Sequence, residues 1–164
     1  MTTGSTLDFS LDDLIRDVRY ACLLGPATPN HELLDPYGFI SQPAIVRRLG
    51  AWIASLLGDE VVRLVGVGAS ALPIALAVGL DLNMPVALFE KADLHGEVSP
   101  GNGVAIVADI TRSGDSAIKT IDAIEDAGAE AIQVFVVWDR AQGALDRLRA
   151  LDASLHVLIE DRSR

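Results

Sequence analysis

Short apolar runs alternate with amphipathic stretches along the chain from about residue 60 onward. The apolar runs consist of small or branched residues and are typical of buried strands: residues 61–67, 85–89, 104–107, 132–137 and 155–159. Apolar residues recur at helical spacing between these runs, over 72–80, 115–127 and 142–151. This alternation predicts βαβ units and an α/β fold, with a mostly parallel central sheet flanked by helices.

The N-terminal residues predict a leader followed by a single domain. Residues 1–10 lack a clear pattern and are predicted to be a flexible leader, with one domain over 11–164. Ser10 and Asp13 have the spacing of a capping box, and we predict that they begin a helix over 11–24.

A second helix is predicted after an irregular stretch. Residues 28–40 are predicted to be irregular, with three candidate polar contacts: His31, Asp35 and Tyr37. Ser41 is predicted to cap the next helix, and Pro43 fits its first turn. The apolar face of that helix is predicted to consist of Ile45, Leu49, Trp52, Ile53 and Leu56.

Residues 104–116 have the pattern expected of a phosphate site. A buried strand is followed by an acid, a hydroxyl-rich turn with a glycine, and the start of a helix: Asp109, Thr111, Arg112, Ser113, Gly114, Asp115 and Ser116. Unpaired N–H groups at a helix N-terminus attract anions, and glycine lets the backbone approach them. We therefore predict phosphate binding here; the alternative is that these residues only cap a turn and a helix.

Two other loops are predicted to meet this stretch at one edge of the sheet, because right-handed crossovers bring the ends of parallel strands together. The glycine-containing loop 66–73 could bind pyrophosphate, belong to a methyltransferase-like nucleotide fold, or simply make a tight turn. The charged loop that begins at Glu90 and runs to Gly103 is either a mobile lid or a solvated connection.

Charge and composition exclude several classes of protein. The chain has 164 residues with 23 acids and 13 bases, a net charge of −10, which argues against nucleic acid as a partner. No run of 18 apolar residues predicts a membrane span, and the first residues do not resemble a signal peptide. The single cysteine, Cys22, lies in an apolar helical pattern and is predicted to be a buried, inert thiol. We expect a cytoplasmic protein.

Four segments in the right order resemble type I phosphoribosyltransferases, and within that family orotate phosphoribosyltransferase. Residues 104–116 resemble the family's nucleotide-binding signature, and 66–75 resemble its pyrophosphate loop. Residues 91–97, with Ala-x-x-His-Gly, resemble the flexible catalytic loop, and 137–143 resemble the Val-Asp-Arg-x-x-Gly segment. Residues 33–53 are similar in outline to the N-terminal hood and the helix after it, so hood elements are expected over about 11–40.

The resemblance implies transfer of ribose phosphate from phosphoribosyl pyrophosphate (PRPP), with Mg²⁺, to a nitrogen of a base such as orotate. It places the ribose phosphate on the turn Thr111, Arg112, Ser113, Gly114, Asp115 and Ser116, and the pyrophosphate on Gly68, Ala69, Ser70 and Ala71. The candidate catalytic residues are Asp109, facing the ribose hydroxyls, with His95 and Lys91 on the lid. His95 is expected to serve the neighbouring subunit of a homodimer, Arg140 is expected to contact the acceptor's carboxylate, and no residue is assigned as a direct metal ligand.

The chain departs from the family pattern in ways that leave two functions open. Ala108 replaces the first of the two signature acids. The lid's basic positions fall on Phe89, Glu90 and Asp93, which reverses the charge near a polyanionic donor. The first hypothesis is a divergent phosphoribosyltransferase for an orotate-like or other acceptor. The alternative is a non-catalytic member of the fold that binds a nucleotide or sugar phosphate, as a regulator or as a subunit beside an active partner.

Overall fold

The fold centres on one six-stranded sheet. A computed structural model describes residues 7–28 and 31–161 of the chain. Its strands are β1 Leu23–Thr28, β2 His31–Leu34, β3 Arg63–Val67, β4 Val86–Glu90, β5 Asp93–His95, β6 Gly103–Thr111, β7 Glu130–Asp139 and β8 Ser154–Glu160. Its helices are α1 Leu11–Cys22, α2 Pro36–Ile40, α3 Pro43–Leu56, α4 Leu72–Leu82, α5 Asp115–Asp126 and α6 Ala144–Arg149.

The strand order of the large sheet creates the crevice in which a ligand can bind. The order is β5-β4-β3-β6-β7-β8, and every neighbouring pair is parallel except β4 and β5. From β3 the chain moves outward to β4, and from β6 it moves outward in the opposite direction. The loops after β3 and β6 therefore diverge to opposite faces, which leaves an opening at the carboxyl ends of these two strands.

Helices cover both faces of the sheet, as the apolar runs predict. In β6, Ala105 and Val107 face the core under α1, α3 and α4, whereas Ile106 and Ala108 face the core under α5. Because consecutive strand residues point to opposite faces, a strand between two cores must be apolar at every position. The predicted α/β fold with a mostly parallel sheet is confirmed.

The segment predicted to be irregular, 28–40, contains regular structure instead. Strands β1 and β2 form a separate antiparallel pair, and α2 follows. The Asp35 carboxylate accepts a hydrogen bond from the Tyr37 N–H at 2.9 Å and so caps α2. The segment is regular because β1 and β2 bond to each other and because α2 takes Pro36 in its first turn.

Two predicted helix caps are wrong. Ser10 precedes α1, but its side chain makes no capping hydrogen bond, and Asp13 pairs with Arg16 at 2.6 Å. Ser41 ends α2, and Gln42 is the residue that precedes α3. Trp52 is buried as predicted, whereas Leu56 at the end of the same helix is 42% exposed.

The thiol of Cys22 is buried at the end of α1, as predicted. Burial raises its pKa to about 11, so the reactive thiolate is disfavoured at neutral pH. Among residues 7–28 and 31–161, no helix is long and apolar enough to cross a membrane.

Candidate functional site

A cleft of about 620 Å³ lies at the carboxyl ends of β3, β4 and β6, where the sheet topology leaves its opening. The complete predicted phosphate turn lines it, together with Asp109. The other polar and charged lining residues are Ser70, Glu90, Lys91 and Lys119, and the walls include Leu34, Pro36, Val67 and Phe89. The structure therefore brings together segments about 80 residues apart in the chain.

In the phosphate turn, residues 111–116, four carbonyl groups accept hydrogen bonds from other parts of the chain. Three of the donors are backbone N–H groups: Arg140 N to Thr111 O at 2.9 Å, Ala144 N to Arg112 O at 3.1 Å and Ile118 N to Gly114 O at 3.0 Å. The fourth is a side chain, because Arg147 Nη1 donates to Ser113 O at 2.7 Å. Because these four carbonyls already accept hydrogen bonds, they are not free to present their negative ends to an incoming anion.

Gly114 gives the turn its shape. Its φ of +79° is left-handed, a conformation that residues with a Cβ rarely adopt. A Cβ at this position would also lie 3.3 Å from Cα and Cβ of Ala144, at the start of α6. The turn is thus packed against α6 at the point where α5 begins. The N–H of Asp115 donates to Ser113 Oγ at 3.4 Å, and the next N–H groups of α5 are the donors expected to meet an anion.

Asp109 is the buried acid of the cleft. The residue is 9% exposed, and burial raises the pKa of its carboxyl group, a rise that a hydrogen bond from Ser70 and backbone N–H groups partly opposes. Ala108 is buried beside it at 3% exposure, so the cleft has a methyl group where the resemblance expects a second acid.

The loop after β3 contributes its glycine and its serine. Gly68 has a φ of +79°, and its N–H donates to Phe89 O at 2.8 Å, which ties this loop to the end of β4. Gly68 and Ser70 line the cleft, whereas Ala69 and Ala71 do not. Of the predicted pyrophosphate residues, these two are therefore the ones that face the ligand space.

Comparison with known proteins identifies relatives over most of the chain. No family model matches it. The orotate phosphoribosyltransferase of Methanocaldococcus jannaschii is 32% identical over 145 residues, 84% of this chain and 82% of that protein. The orotate phosphoribosyltransferase of Methanoculleus marisnigri is 36% identical over 133 residues, 77% of each chain. The chain belongs to the type I phosphoribosyltransferase family.

A solved structure shows the same fold. The Mycobacterium tuberculosis H37Rv orotate phosphoribosyltransferase in complex with PRPP matches with a TM-score of 0.75 and 23% identity, over 92% of this chain and 95% of that one. The relatives favour a phosphoribosyltransferase, a glycosyltransferase by reaction class, over the non-catalytic binding protein. The methyltransferase-like interpretation of the glycine loop has no support among them.

The segment that resembles the phosphoribosyltransferase lid is a tight hairpin. Strands β4 and β5 pair antiparallel, and the prediction of an extended loop from Glu90 to Gly103 is wrong at its start. Lys91 and Ala92 form the two-residue turn with φ values of +53° and +67°, the left-handed pair that matches the twist of a hairpin. The sequence concealed this turn because neither residue is glycine or asparagine.

The hairpin brings only part of the predicted lid to the cleft. Glu90, Lys91 and Ala92 line it. Asp93 pairs with Glu90 across the hairpin, and His95 pairs with Leu88; both side chains are exposed and neither lines the cleft. His95 therefore does not reach the ligand space of its own chain.

Arg140 is engaged outside the cleft lining. Its Nε lies 2.9 Å from Asp161 Oδ2 without the direction of a hydrogen bond, and its guanidinium lies 5.7 Å from the ring centre of Trp138. Trp138 Nε1 donates to Asp161 Oδ1 at 3.0 Å and Arg19 Nη1 lies 3.5 Å from the same oxygen, so one carboxylate is shared by the indole and two guanidinium groups.

Sequence reasoning missed Lys119. It lines the cleft from the second turn of α5, four residues after Asp115 and so on the same side of the helix. That spacing was a usable signal. With it, the cleft has three basic side chains, Lys91, Arg112 and Lys119, against three acids, Glu90, Asp109 and Asp115. The lining is balanced in charge although the chain carries −10.

A metal ion fits this cleft as a companion of a phosphorylated ligand. In the part of the chain that the structure describes, no three His, Cys, Asp or Glu side chains are grouped to hold a metal. Mg²⁺ in nucleotide sites is commonly bound by one or two carboxylates together with substrate phosphates. Asp109 supplies one such carboxylate at the floor of the cleft, which suits that arrangement.

The raised pKa of Asp109 predicts an effect on stability. The folded protein binds this proton more tightly than the unfolded chain does, so the carboxylate lowers stability as pH rises above the unfolded pKa. We expect Asp109→Asn to raise Tm at pH 7 by roughly 2–4 °C, the effect of about 1 kcal/mol in a domain of this size. The gain should shrink as the pH falls toward the ordinary aspartate pKa, measured by calorimetry across pH.

Asp139→Asn is the matched control. Asp139 is also buried at a strand end, but its two oxygens accept from Thr111 Oγ1 and Ala141 N. An amide can accept at only one of these atoms, so this variant should lower Tm. A lower Tm for Asp109→Asn at pH 7 would contradict the burial argument.

Proposed function

We propose that the protein transfers ribose 5-phosphate from PRPP to a nitrogen of an orotate-like acceptor in this cleft. The C1–oxygen bond to pyrophosphate breaks and a bond from C1 to the acceptor nitrogen forms. The observation that carries the proposal is the phosphate turn at residues 111–116. Four of its carbonyls accept hydrogen bonds at 2.7–3.1 Å, and the turn lies at the opening of the sheet. The relatives of the chain are orotate phosphoribosyltransferases.

The phosphate turn supports a site for the 5-phosphate. Arg112 is exposed on the turn and Lys119 extends from the following helix, so two cations flank the N–H groups of the turn. Arginine binds phosphate through two parallel hydrogen bonds, and lysine adds a point charge. In the proposal the turn binds the 5-phosphate of PRPP, which is distant from the reacting C1 atom.

The pyrophosphate is assigned to the loop of Gly68 and Ser70, with Lys91 opposite. Departure of pyrophosphate builds negative charge there and positive charge on the ribose ring, so donors and cations near the leaving group lower the barrier. Mg²⁺ would enter with the diphosphate and supply charge neutralisation. The side chains that support this assignment, Ser70 and Lys91, both line the cleft.

Asp109 is proposed to face the ribose. A carboxylate at the buried floor of the cleft can accept hydrogen bonds from ribose hydroxyls and stabilise the positive charge that develops on the ring. Arg140 is proposed to contact the acceptor's carboxylate, which would then compete with Asp161 for the guanidinium. Leu34 and Pro36 form an apolar wall on the hood side, where a planar base can pack.

We also propose that the protein acts as a homodimer in the cytoplasm. The exposed His95 on β5, which does not line the cleft of its own chain, supports use of that side chain by a neighbouring subunit. Family membership supports a role among small phosphorylated metabolites, without nucleic acid or membrane.

The test of the proposed function is a thermal-shift titration with PRPP and Mg²⁺, followed by an orotate consumption assay. A ligand that binds only the folded state stabilises it by about 2.7 kcal/mol at a hundred times its Kd, so saturating PRPP should raise Tm by several degrees. We expect orotate to be consumed with release of one pyrophosphate per nucleotide formed. No Tm shift at millimolar PRPP would contradict the donor site, and a shift without turnover of orotate would contradict the orotate-like acceptor.

Removal of the negative charge of Glu90 is predicted to increase the affinity for PRPP. Glu90 lines the cleft and should repel the donor, so we expect Glu90→Gln to lower the Kd of PRPP about three- to fivefold, the usual size of one partly exposed charge interaction. Asp93→Asn removes the same charge from the paired residue outside the cleft and should leave the Kd nearly unchanged. Equal effects of both changes in calorimetric titration would show that only the overall charge matters.

A further inference from the structure

A side chain of helix α6, Arg147, donates hydrogen bonds to the phosphate turn. Arg147 Nη1 donates to Ser113 O at 2.7 Å and to Asp115 Oδ1 at 2.6 Å. Arg147 does not line the cleft, and its side chain is 48% exposed. One guanidinium nitrogen therefore bridges two groups of the turn, although Arg147 itself does not line the ligand space.

The bridge controls an acid that would otherwise disturb an anion. Asp115 is the first residue of α5 and lines the cleft, so its carboxylate lies where a bound phosphate would meet like charge. Both of its oxygens are occupied, Oδ1 by Arg147 and Oδ2 by the Ser113 hydroxyl at 2.8 Å. These contacts, Arg147 first, hold the pKa of Asp115 below its usual value, so the group is anionic at working pH.

The same arginine completes the support of the turn. The carbonyls of Thr111, Arg112 and Gly114 are held by backbone N–H groups, which a change of side chain leaves in place. The Ser113 carbonyl is held by Arg147 alone among the donors identified in the described residues. Loss of this donor would free that carbonyl to turn toward the cleft, with its negative end toward the phosphate.

We infer that Arg147 is a positioning residue for the donor: it holds the Asp115 carboxylate and the Ser113 carbonyl by hydrogen bonds, so that neither group is free to turn toward the 5-phosphate. The inference rests on the proposed function of the turn. It extends the site to a residue in a different helix, about 30 positions later in the chain, which touches neither the donor nor the reacting atoms.

The test measures the Kd of PRPP with Mg²⁺ by calorimetry for four proteins: wild type, Arg147→Met, Arg147→Met with Asp115→Asn, and Arg149→Met. Arg147→Met should weaken binding about tenfold, the size of one charge-assisted contact. The added Asp115→Asn should recover a large part of that loss, since it removes the carboxylate that Arg147 no longer holds. Arg149 is on the same helix, is similarly exposed, and pairs with Asp146 and Glu160 away from the turn, so Arg149→Met should bind as wild type does.

The outcomes separate this inference from the proposed function. If wild type does not bind PRPP, the proposed function fails. If wild type binds and Arg147→Met binds equally well, the inference is overturned. It is also overturned if the double variant binds no more tightly than Arg147→Met, because a general loss of order in the turn would not be relieved by neutralising Asp115. Unchanged Tm values in the absence of ligand verify that the variants fold.

Discussion

The site depends on the hydrogen bonding of one turn. Residues 111–116 can present N–H groups to an anion because four successive carbonyls, from Thr111 to Gly114, already accept hydrogen bonds from other parts of the fold. The donors come from the residue after β7, from α6 and from α5. The turn therefore keeps this conformation only when these elements pack against it. A backbone site of this kind is specified by the whole fold and requires few particular side chains.

The hairpin contributes only one of the three basic side chains that line the cleft. A tight turn at Lys91 and Ala92 follows β4, and Glu90 faces the ligand space beside it. The remaining cations, Arg112 and Lys119, lie on the floor formed by the phosphate turn and α5. In the proposed function the donor is bound mainly by the turn at residues 111–116 and by α5, which would let a chain with an acidic hairpin bind a polyanion.

The sheet and the turn at residues 111–116 could be predicted from the sequence because both depend on local patterns. Every strand of the parallel sheet is an apolar run, and Asp109 to Ser116 lie together in the chain, so one segment carries most of the site. The hairpin turn escaped prediction because left-handed φ values at Lys91 and Ala92 are imposed by strand pairing and not by residue type. Helix α2 was missed because its Pro36 and Gly38 are typical of loops, and strand β2 was missed because four residues are too few to show a period.

Contacts between distant segments could not be predicted either. Nothing in the spacing of Arg147 and Ser113 indicates that they touch. The sequence likewise does not show that Asp161 lies beside Arg140, the residue expected to contact the acceptor.

A crystal structure of the protein with PRPP and Mg²⁺ tests the proposed binding mode most directly. We expect the 5-phosphate within hydrogen-bond distance of the backbone N–H groups of residues 111–116. A donor bound with its 5-phosphate elsewhere, and this turn in contact only with solvent, would contradict it.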